Sequence, residues 1–218
     1  MFKELFLTNN VSFKSIPLDE SGIIIEELKK HNVNIAYVTP SHQFPTGTIM
    51  SISRRTELLN WANENFNCYI IEDDYDSEFK YTGRPIPALK ANDISDKVIY
   101  LGSFSKSISP AIRVSYLVLP KELLNIYQKK LPYFICPVPT LNQKILYRFI
   151  KDGYFVKHIN KMRTLYKKKR EFLVNTIKKY SYEILNKEIY IQGADAGLHL
   201  VIKLNQKINE KVFLKECL

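Results

Sequence analysis

The sequence predicts an α/β domain built on a mostly parallel sheet, followed by part of a smaller α+β unit. Three observations predict it. Short β-rich runs alternate with helical ones from Ser12 to Leu119, as in domains whose strands are joined by crossover helices. Two of these apolar runs, Ile70-Ile71 and Tyr100-Leu101, lead, the second after Gly102, into charged or hydroxylated residues, as strands do where they end at a ligand-binding edge. Beyond Pro132, Pro137 and Pro139 the pattern becomes helical over some forty residues and closes with short β-like runs.

Taken in order, residues 23–30 read as a helix and Asn34 to Val38 as the first sheet strand. The helix Arg54 to Asn65 follows, with Leu58, Leu59 and Trp61 on its apolar face, and then the strand Tyr69 to Asp73. Parallel pairing needs a crossover of about a dozen residues or more. The stretch from Asp74 to Lys97 is long enough, although it reads as loop rather than helix. Val98 to Gly102 and Val114 to Leu119 complete the strands. Pro120 opens a helix over Lys121 to Lys130. From Thr140 to Tyr180 the spacing of Phe155, Ile159, Met162, Tyr166, Phe172 and Ile177 is helical, interrupted near Asp152-Gly153. Ile189 to Gln192 and Leu198 to Leu204 read as strands, and Asn209 starts a further helix. The expected division is therefore a partial large domain over 1–139, then a connecting helix and a partial small C-terminal domain over 140–218.

Composition narrows the function classes. With 218 residues, 45% of them hydrophobic, the chain can bury a core, which excludes a disordered protein. Cys68, Cys136 and Cys217 are odd in number and far apart, so neither a disulfide framework nor a metal-ligand spacing is present, and a reducing cytoplasm is the expected location. No apolar run reaches the roughly 18–20 residues of a membrane span, and the amino-terminal residues lack a secretion-signal pattern. The formal charge of +10 raises the question of a polyanionic partner. Its lysines are scattered, however, and the dense run Lys167-Lys168-Lys169-Arg170 falls inside an amphipathic helix, as a solvated face does.

The chemistry concentrates at two strand ends. Ser103-Phe104-Ser105-Lys106, followed by Arg113, brings a lysine among anion-binding groups. Glu72-Asp73-Asp74-Tyr75 ends the other strand in carboxylates and a phenol. A pyridoxal 5'-phosphate site requires these types of group. A partly desolvated lysine forms a Schiff base with the aldehyde, and Lys106 is the candidate. A carboxylate keeps the pyridine nitrogen protonated, a role for Asp73. Tyr75, two residues on and on the same strand face, can donate to the phenolate oxygen. Arg113 with the hydroxyls of Ser103 and Ser105 matches the phosphate. No metal site is expected. The acidic run from Glu72 to Glu78 lacks the glycine and downstream glutamate of a calcium loop. His42, His158 and His199 have no ligand spacing to one another and read as hydrogen-bonding or packing residues.

Three segments carry a family resemblance: Tyr37-Val38-Thr39-Pro40-Ser41-His42-Gln43-Phe44-Pro45-Thr46-Gly47, then Glu72 to Phe79, then Ser103 to Lys106 with Arg113. Together they resemble the aminotransferase-like domain of MocR/GabR-type regulators in the GntR family, which joins a winged helix-turn-helix to a fold-type-I pyridoxal phosphate domain related to class I/II aminotransferases. The resemblance covers nearly the whole chain. It implies Lys106 as the Schiff-base lysine, Asp73 as pyridinium partner, Tyr75 as phenolate-side donor, and Ser103 and Arg113 at the phosphate. It also implies an amino-acid-like ligand and a homodimer in the intact protein, with DNA contacted only through the winged helix, which has no counterpart in these residues. Ordinary aminotransferases of this fold place an asparagine where this chain has Phe44, so the resemblance favours regulator over enzyme.

The resemblance begins partway into the large domain, and no arginine for a substrate carboxylate is recognisable after the run Gly197 to Leu204. A piece of a longer protein is therefore expected. The leading reading is a sensor domain that detects an amino compound as an external aldimine. The alternatives are an aminotransferase acting between an amino acid and a 2-oxo acid, with Lys106 as general acid/base, and a non-catalytic truncated remnant.

Overall fold

The computed structural model describes residues 2–185, 189–203 and 215. A short helix, α1 (Phe2–Thr8), and a two-residue hairpin, β1 (Leu18–Asp19) with β2 (Gly22–Ile23), precede the expected elements. Pairing of Ile23 in that hairpin shortens the next helix, α2, to Ile25–Lys29. There follow β3 (Ile35–Val38), α3 (Ile52–Glu64) and β4 (Tyr69–Asp74). The Ser51 hydroxyl caps α3 by accepting from the Arg54 amide, as serine does at an N-cap.

Next come β5 (Val98–Ser103), the single turn α4 (Phe104–Ser107) and β6 (Ser115–Val118). These strands form one sheet in the order β3-β4-β5-β6. The first three are parallel, whereas β6 is antiparallel to β5, with Ser103 opposite Ser115. The link between β5 and β6 is too short to carry a crossover, so the chain turns back. The sheet is thus mostly parallel, and the carboxyl ends of β3, β4 and β5 share one edge.

The core lies between β3–β5 and the helices α2 and α3. Ile25, Leu28, Val38, Leu58, Trp61, Ile70 and Val98 are buried in it together. Full burial of a side chain such as Leu58 contributes roughly 1.5–3 kcal/mol. Arg55 is also buried on α3, and donates to the carbonyls of Met50, Pro87 and Pro40 at 3.2, 2.9 and 2.9 Å. Carboxylates order the crossover from β4 to β5 in place of a long helix. Glu72 accepts from the amides of Leu89 and Lys90 at 2.8 and 2.9 Å, and Asp93 accepts from those of Lys97 and Val98 at 2.9 and 2.8 Å.

The remaining helices are α5 (Lys121–Lys130), α6 (Thr140–Lys151) and the long α7 (Tyr154–Leu185). The expected interruption at Asp152-Gly153 separates α6 from α7, with Gly153 at φ +77°. The strands β7 (Tyr190–Gln192) and β8 (Val201–Lys203) pair antiparallel. Leu204 and the helix expected from Asn209 lie outside the described residues. The loop between β7 and β8 docks on the sheet domain, since the Gly197 amide donates to the Phe79 carbonyl at 2.7 Å and the Tyr81 amide to that of Asp195 at 3.0 Å. No helix among the described residues is long and apolar enough to cross a membrane.

Candidate functional site

Along β4 the burial alternates with the two-residue period of a strand, so Ile70, Glu72 and Asp74 face inward while Asp73 is half-buried on the opposite face. Asp73 therefore sits at the carboxyl edge of the sheet, paired in register with Leu101 of β5. The Tyr37 hydroxyl, from neighbouring β3, donates to the Asp73 carboxylate. Burial pushes the Asp73 carboxyl above its ordinary range, and the Tyr37 hydrogen bond counters that by favouring the ionised form. Burial and the Asp73 charge raise the Tyr37 phenol in turn, so it remains a donor.

Tyr75 is half-buried, and its hydroxyl donates to the His42 carbonyl at 2.6 Å. Burial, then the charges of Asp76, Asp73 and Asp74, hold its phenol well above the ordinary value. Two further members of the acidic run have partners. Asp74 accepts from Tyr100 at 2.6 Å and from Ser77 at 2.7 Å, and Asp76 faces His42 and the Leu198 amide.

On the adjacent strand, Ser103 ends β5 and caps α4, its hydroxyl oxygen accepting from the Ser105 amide at 3.2 Å. That leaves the Ser103 proton for an external acceptor. Ser103 and Ser105 are half-buried, whereas Lys106 and Arg113 are exposed. The partly desolvated setting expected for Lys106 is therefore not found, because α4 is one turn at the sheet edge and turns this side chain to solvent. Arg113 adopts a left-handed conformation, φ 50°, between the 3-10 turn Pro110–Ile112 and Val114. The Phe104 amide donates to the Val114 carbonyl at 3.0 Å, which ties the Arg113 segment to the start of α4.

The structure also assembles a cluster that sequence spacing did not indicate. His42 is buried with Nδ1 3.0 Å from Asp76 Oδ2 and Nε2 3.1 Å from the Gly193 carbonyl. His199 lies against it, ring centroids 4.1 Å apart. Burial, then the proximity of His42, lowers the tendency of His199 to protonate, and the Lys106 charge acts in the same direction. Gly197, at φ +69°, lets the chain pass where a Cβ would collide with His42 and Asp76. His158, by contrast, makes the ordinary hydrogen bond expected of it, to the Ser107 carbonyl at 3.1 Å.

The adjoining ends of β4 and β5 therefore carry a half-buried carboxylate, a phenol, a lysine and an arginine with two serines. This donor set fits pyridoxal phosphate, with an anionic group for the ring nitrogen on one strand and cationic and hydroxyl donors for a phosphate on the next. Tyr37 and the His42 carbonyl were not anticipated. A signal for Tyr37 existed, because parallel register places β3 beside the carboxyl end of β4.

The family model for aminotransferase class I and II matches residues 14–218. The chain is 41% identical over 98% of its length to an uncharacterized HTH-type transcriptional regulator, YdeL, of Bacillus subtilis, covering 45% of that protein. It is 32% identical over 90% of its length to the probable rhizopine catabolism regulatory protein MocR of Rhizobium meliloti, covering 39% of it. Among solved structures, a multiple substrate aminotransferase from Thermococcus profundus superposes with a TM-score of 0.84 at 29% identity, over 98% of this chain and 54% of that one. The chain thus spans less than half the length of these two regulators.

Proposed function

Because the chain belongs to the aminotransferase class I and II family, we propose that it is the pyridoxal phosphate-binding part of an HTH-type regulator, responding to an amino compound rather than turning one over. The observation that carries this reading is the half-buried Asp73, hydrogen-bonded by Tyr37, on the strand next to the one leading to Lys106. Pyridoxal phosphate, when bound, supplies an aldehyde that condenses with amines and a ring that withdraws electrons.

In this proposal the chain's own residues do the following. Asp73 holds a proton at the ring nitrogen, and the Tyr37 hydrogen bond favours its ionised form against the effect of burial. Tyr75 offers its hydroxyl proton to the phenolate oxygen. Ser103, Ser105 and Arg113 bind the phosphate, and Lys106 offers its amine to the aldehyde carbon. Phe44 occupies the position at which aminotransferases of this fold place asparagine, which supports regulator over enzyme.

Several finer points belong to the same proposal. The chain divides near residue 139 into large-domain and small-domain parts and acts in the cytoplasm, and the intact protein works as a homodimer. Strong exposure of Tyr133, Phe134 and Ile135, with Leu141, Ile145 and Tyr147 on α6, supports a further packing partner there. DNA would be contacted through a separate winged helix. The superposition on the Thermococcus profundus enzyme motivates the second reading, an aminotransferase acting between an amino acid and a 2-oxo acid.

The test is a visible spectrum of the purified chain with added pyridoxal phosphate, before and after borohydride, for wild type and Lys106→Ala. The expected result is a visible band and a borohydride-fixed mass adduct on Lys106, both lost in the variant, with no turnover of amino acid and 2-oxo acid pairs. Turnover abolished by Lys106→Ala would establish the enzyme reading instead. Absence of any Lys106-dependent band at saturating cofactor would overturn both and leave a remnant.

A further inference from the structure

We propose that His42, Asp76 and His199 form a binding site for a divalent transition-metal ion of the zinc type, which fastens the β7–β8 unit to the sheet domain. Each of the three offers one ligand atom, and these atoms lie within 4.8 Å of one another. His42 and Asp76 come from loops of the sheet domain, while His199 comes from the segment between β7 and β8. His42 and Asp76 are each 1% exposed, so the cluster is interior rather than a chance surface grouping.

Hydrogen bonding within the cluster is incomplete in the way a cation would complete it. Asp76 Oδ1 and His199 Nε2 are both buried and have no hydrogen-bond partner. Buried polar atoms nearly always find one, so an orphaned pair in one cluster calls for an explanation such as an ion. His42 faces two acceptors, the Gly193 carbonyl and the Asp76 carboxylate. A neutral imidazole carries only one N–H. With that proton directed to the carbonyl, the Nδ1 lone pair points at a carboxylate oxygen, an arrangement that a metal between them makes favourable. A doubly protonated His42 would satisfy that one contact but would leave Asp76 Oδ1 and His199 Nε2 unpaired.

The surroundings resemble those of metal-binding histidines. Such residues donate their second ring N–H to a carbonyl or carboxylate, which fixes the tautomer. His42 has the Gly193 carbonyl for this purpose, and the Pro45 carbonyl hydrogen-bonds the His199 ring. Two imidazoles and a carboxylate suit zinc and its neighbours better than calcium or magnesium, which take oxygen ligands. Three protein ligands leave a fourth tetrahedral position open to water or a small ligand. The nearby Lys106 charge opposes a cation here, and the Asp76 carboxylate offsets it.

The experiment titrates the untagged, chelator-stripped chain with zinc by calorimetry and with cobalt(II) by visible spectroscopy. Pyridoxal phosphate is left out because its own oxygens bind metals. One ion per chain is expected, with an intense tetrahedral cobalt spectrum. His199→Gln should lower the affinity at least tenfold, since losing even an outer-shell partner costs about 10–100-fold. His31→Gln, outside the cluster, should not change it. On the wild-type protein, zinc-edge X-ray absorption should show two imidazole donors and no sulfur, which keeps the test decisive if the variant does not fold. The proposal is overturned by an absence of saturable binding up to millimolar zinc, by sulfur ligation, or by an affinity that His199→Gln leaves unchanged.

Discussion

Replacing Gly197 with alanine tests whether the β7–β8 unit docks through His42 and Asp76 as the structure places it. A Cβ at residue 197 would lie well within 3.0 Å of His42 Nδ1 and Cε1 and of Asp76 Oδ2. Neither neighbour can swing aside, because the two side chains are 0% and 2% exposed and bonded to one another. The backbone adds a second cost, since Gly197 lies at φ +69°. A left-handed conformation costs an L-residue about 1–2 kcal/mol, and overpacking a filled interior about 1–3 kcal/mol more, for a total of about 2–5 kcal/mol. Gly153→Ala separates the two contributions, because Gly153 has φ +77° but nothing within 4 Å of its would-be Cβ. It should lose only the conformational part, about 1–2 kcal/mol. Urea unfolding in chelator-treated buffer, followed through the single tryptophan, Trp61, gives both values. Equal losses in the two variants would refute the docking geometry, because they would mean that no side chain stands in the path of the Gly197 Cβ.

Two other perturbations address the sheet domain. Arg55→Met strips donors from the carbonyls of Met50, Pro40 and Pro87, and removes the buried cation 3.8 Å from Glu72. Breaking a buried charge pair in this one-sided way costs about 3–5 kcal/mol, and a loss below about 1 kcal/mol in the same unfolding assay would show that Arg55 does not bind these loops. Glu78→Gln tests the pH dependence. Burial, the largest cause, raises the Glu78 carboxyl above its ordinary value of 4.5. A raised folded-state value means that its contribution to stability is complete below that ordinary value and is lost as pH rises through the folded one. Glutamine does not ionise, so the variant should gain stability relative to wild type as pH is raised from about 4 to about 8. A flat difference across that range would contradict the assignment.

What could be read from the sequence followed from local periodicity. The alternation along β4 follows the two-residue period, with Asp73 opposite the buried Glu72 and Asp74, although the strand ends at Asp74 and leaves Tyr75 just beyond it; Gly153 breaks the helices where expected. The strand from Tyr69 and the strand from Val98 were legible because apolar runs end abruptly in charged or hydroxylated residues. The failures have a common cause in long-range packing. Two-residue strands such as β1 and β2 carry no periodic signal, so the hairpin that shortens α2 was invisible. An acidic run looks the same whether its carboxylates face water or, like Glu72 and Asp74, accept buried hydrogen bonds from residues 17 and 26 positions away. His42 and Gly193 meet across 151 residues, and the meeting of His42 with His199 depends on the same docking loop. Lys106 was expected to be desolvated because its proposed chemistry requires it, but a single-turn helix at the sheet edge leaves it in solvent.

The proposed cofactor site and the docking loop between β7 and β8 meet through one residue. Tyr75 has a single hydroxyl proton, and the structure directs it to the His42 carbonyl. A cofactor whose phenolate oxygen takes that proton must withdraw it from His42, because one O–H cannot make two strong hydrogen bonds at once. His42 in turn is the residue that holds Asp76 and Gly193, and Asp76 accepts from the Leu198 amide. The contact chain from Tyr75 through His42 to the loop between β7 and β8 is therefore continuous and short. An enzyme can tolerate such a link as mere support. A regulator needs something more, a binding event at one end that changes which contacts are affordable at the other. The proposed cofactor role of Tyr75 supplies that difference directly, since its two possible acceptors belong one to the ligand and one to the docking segment. Under the proposed function the cofactor contact and the docking of this loop are linked through the same hydroxyl, whose choice of acceptor would separate a protein that merely holds pyridoxal phosphate from one whose response to an amino compound reaches the loop.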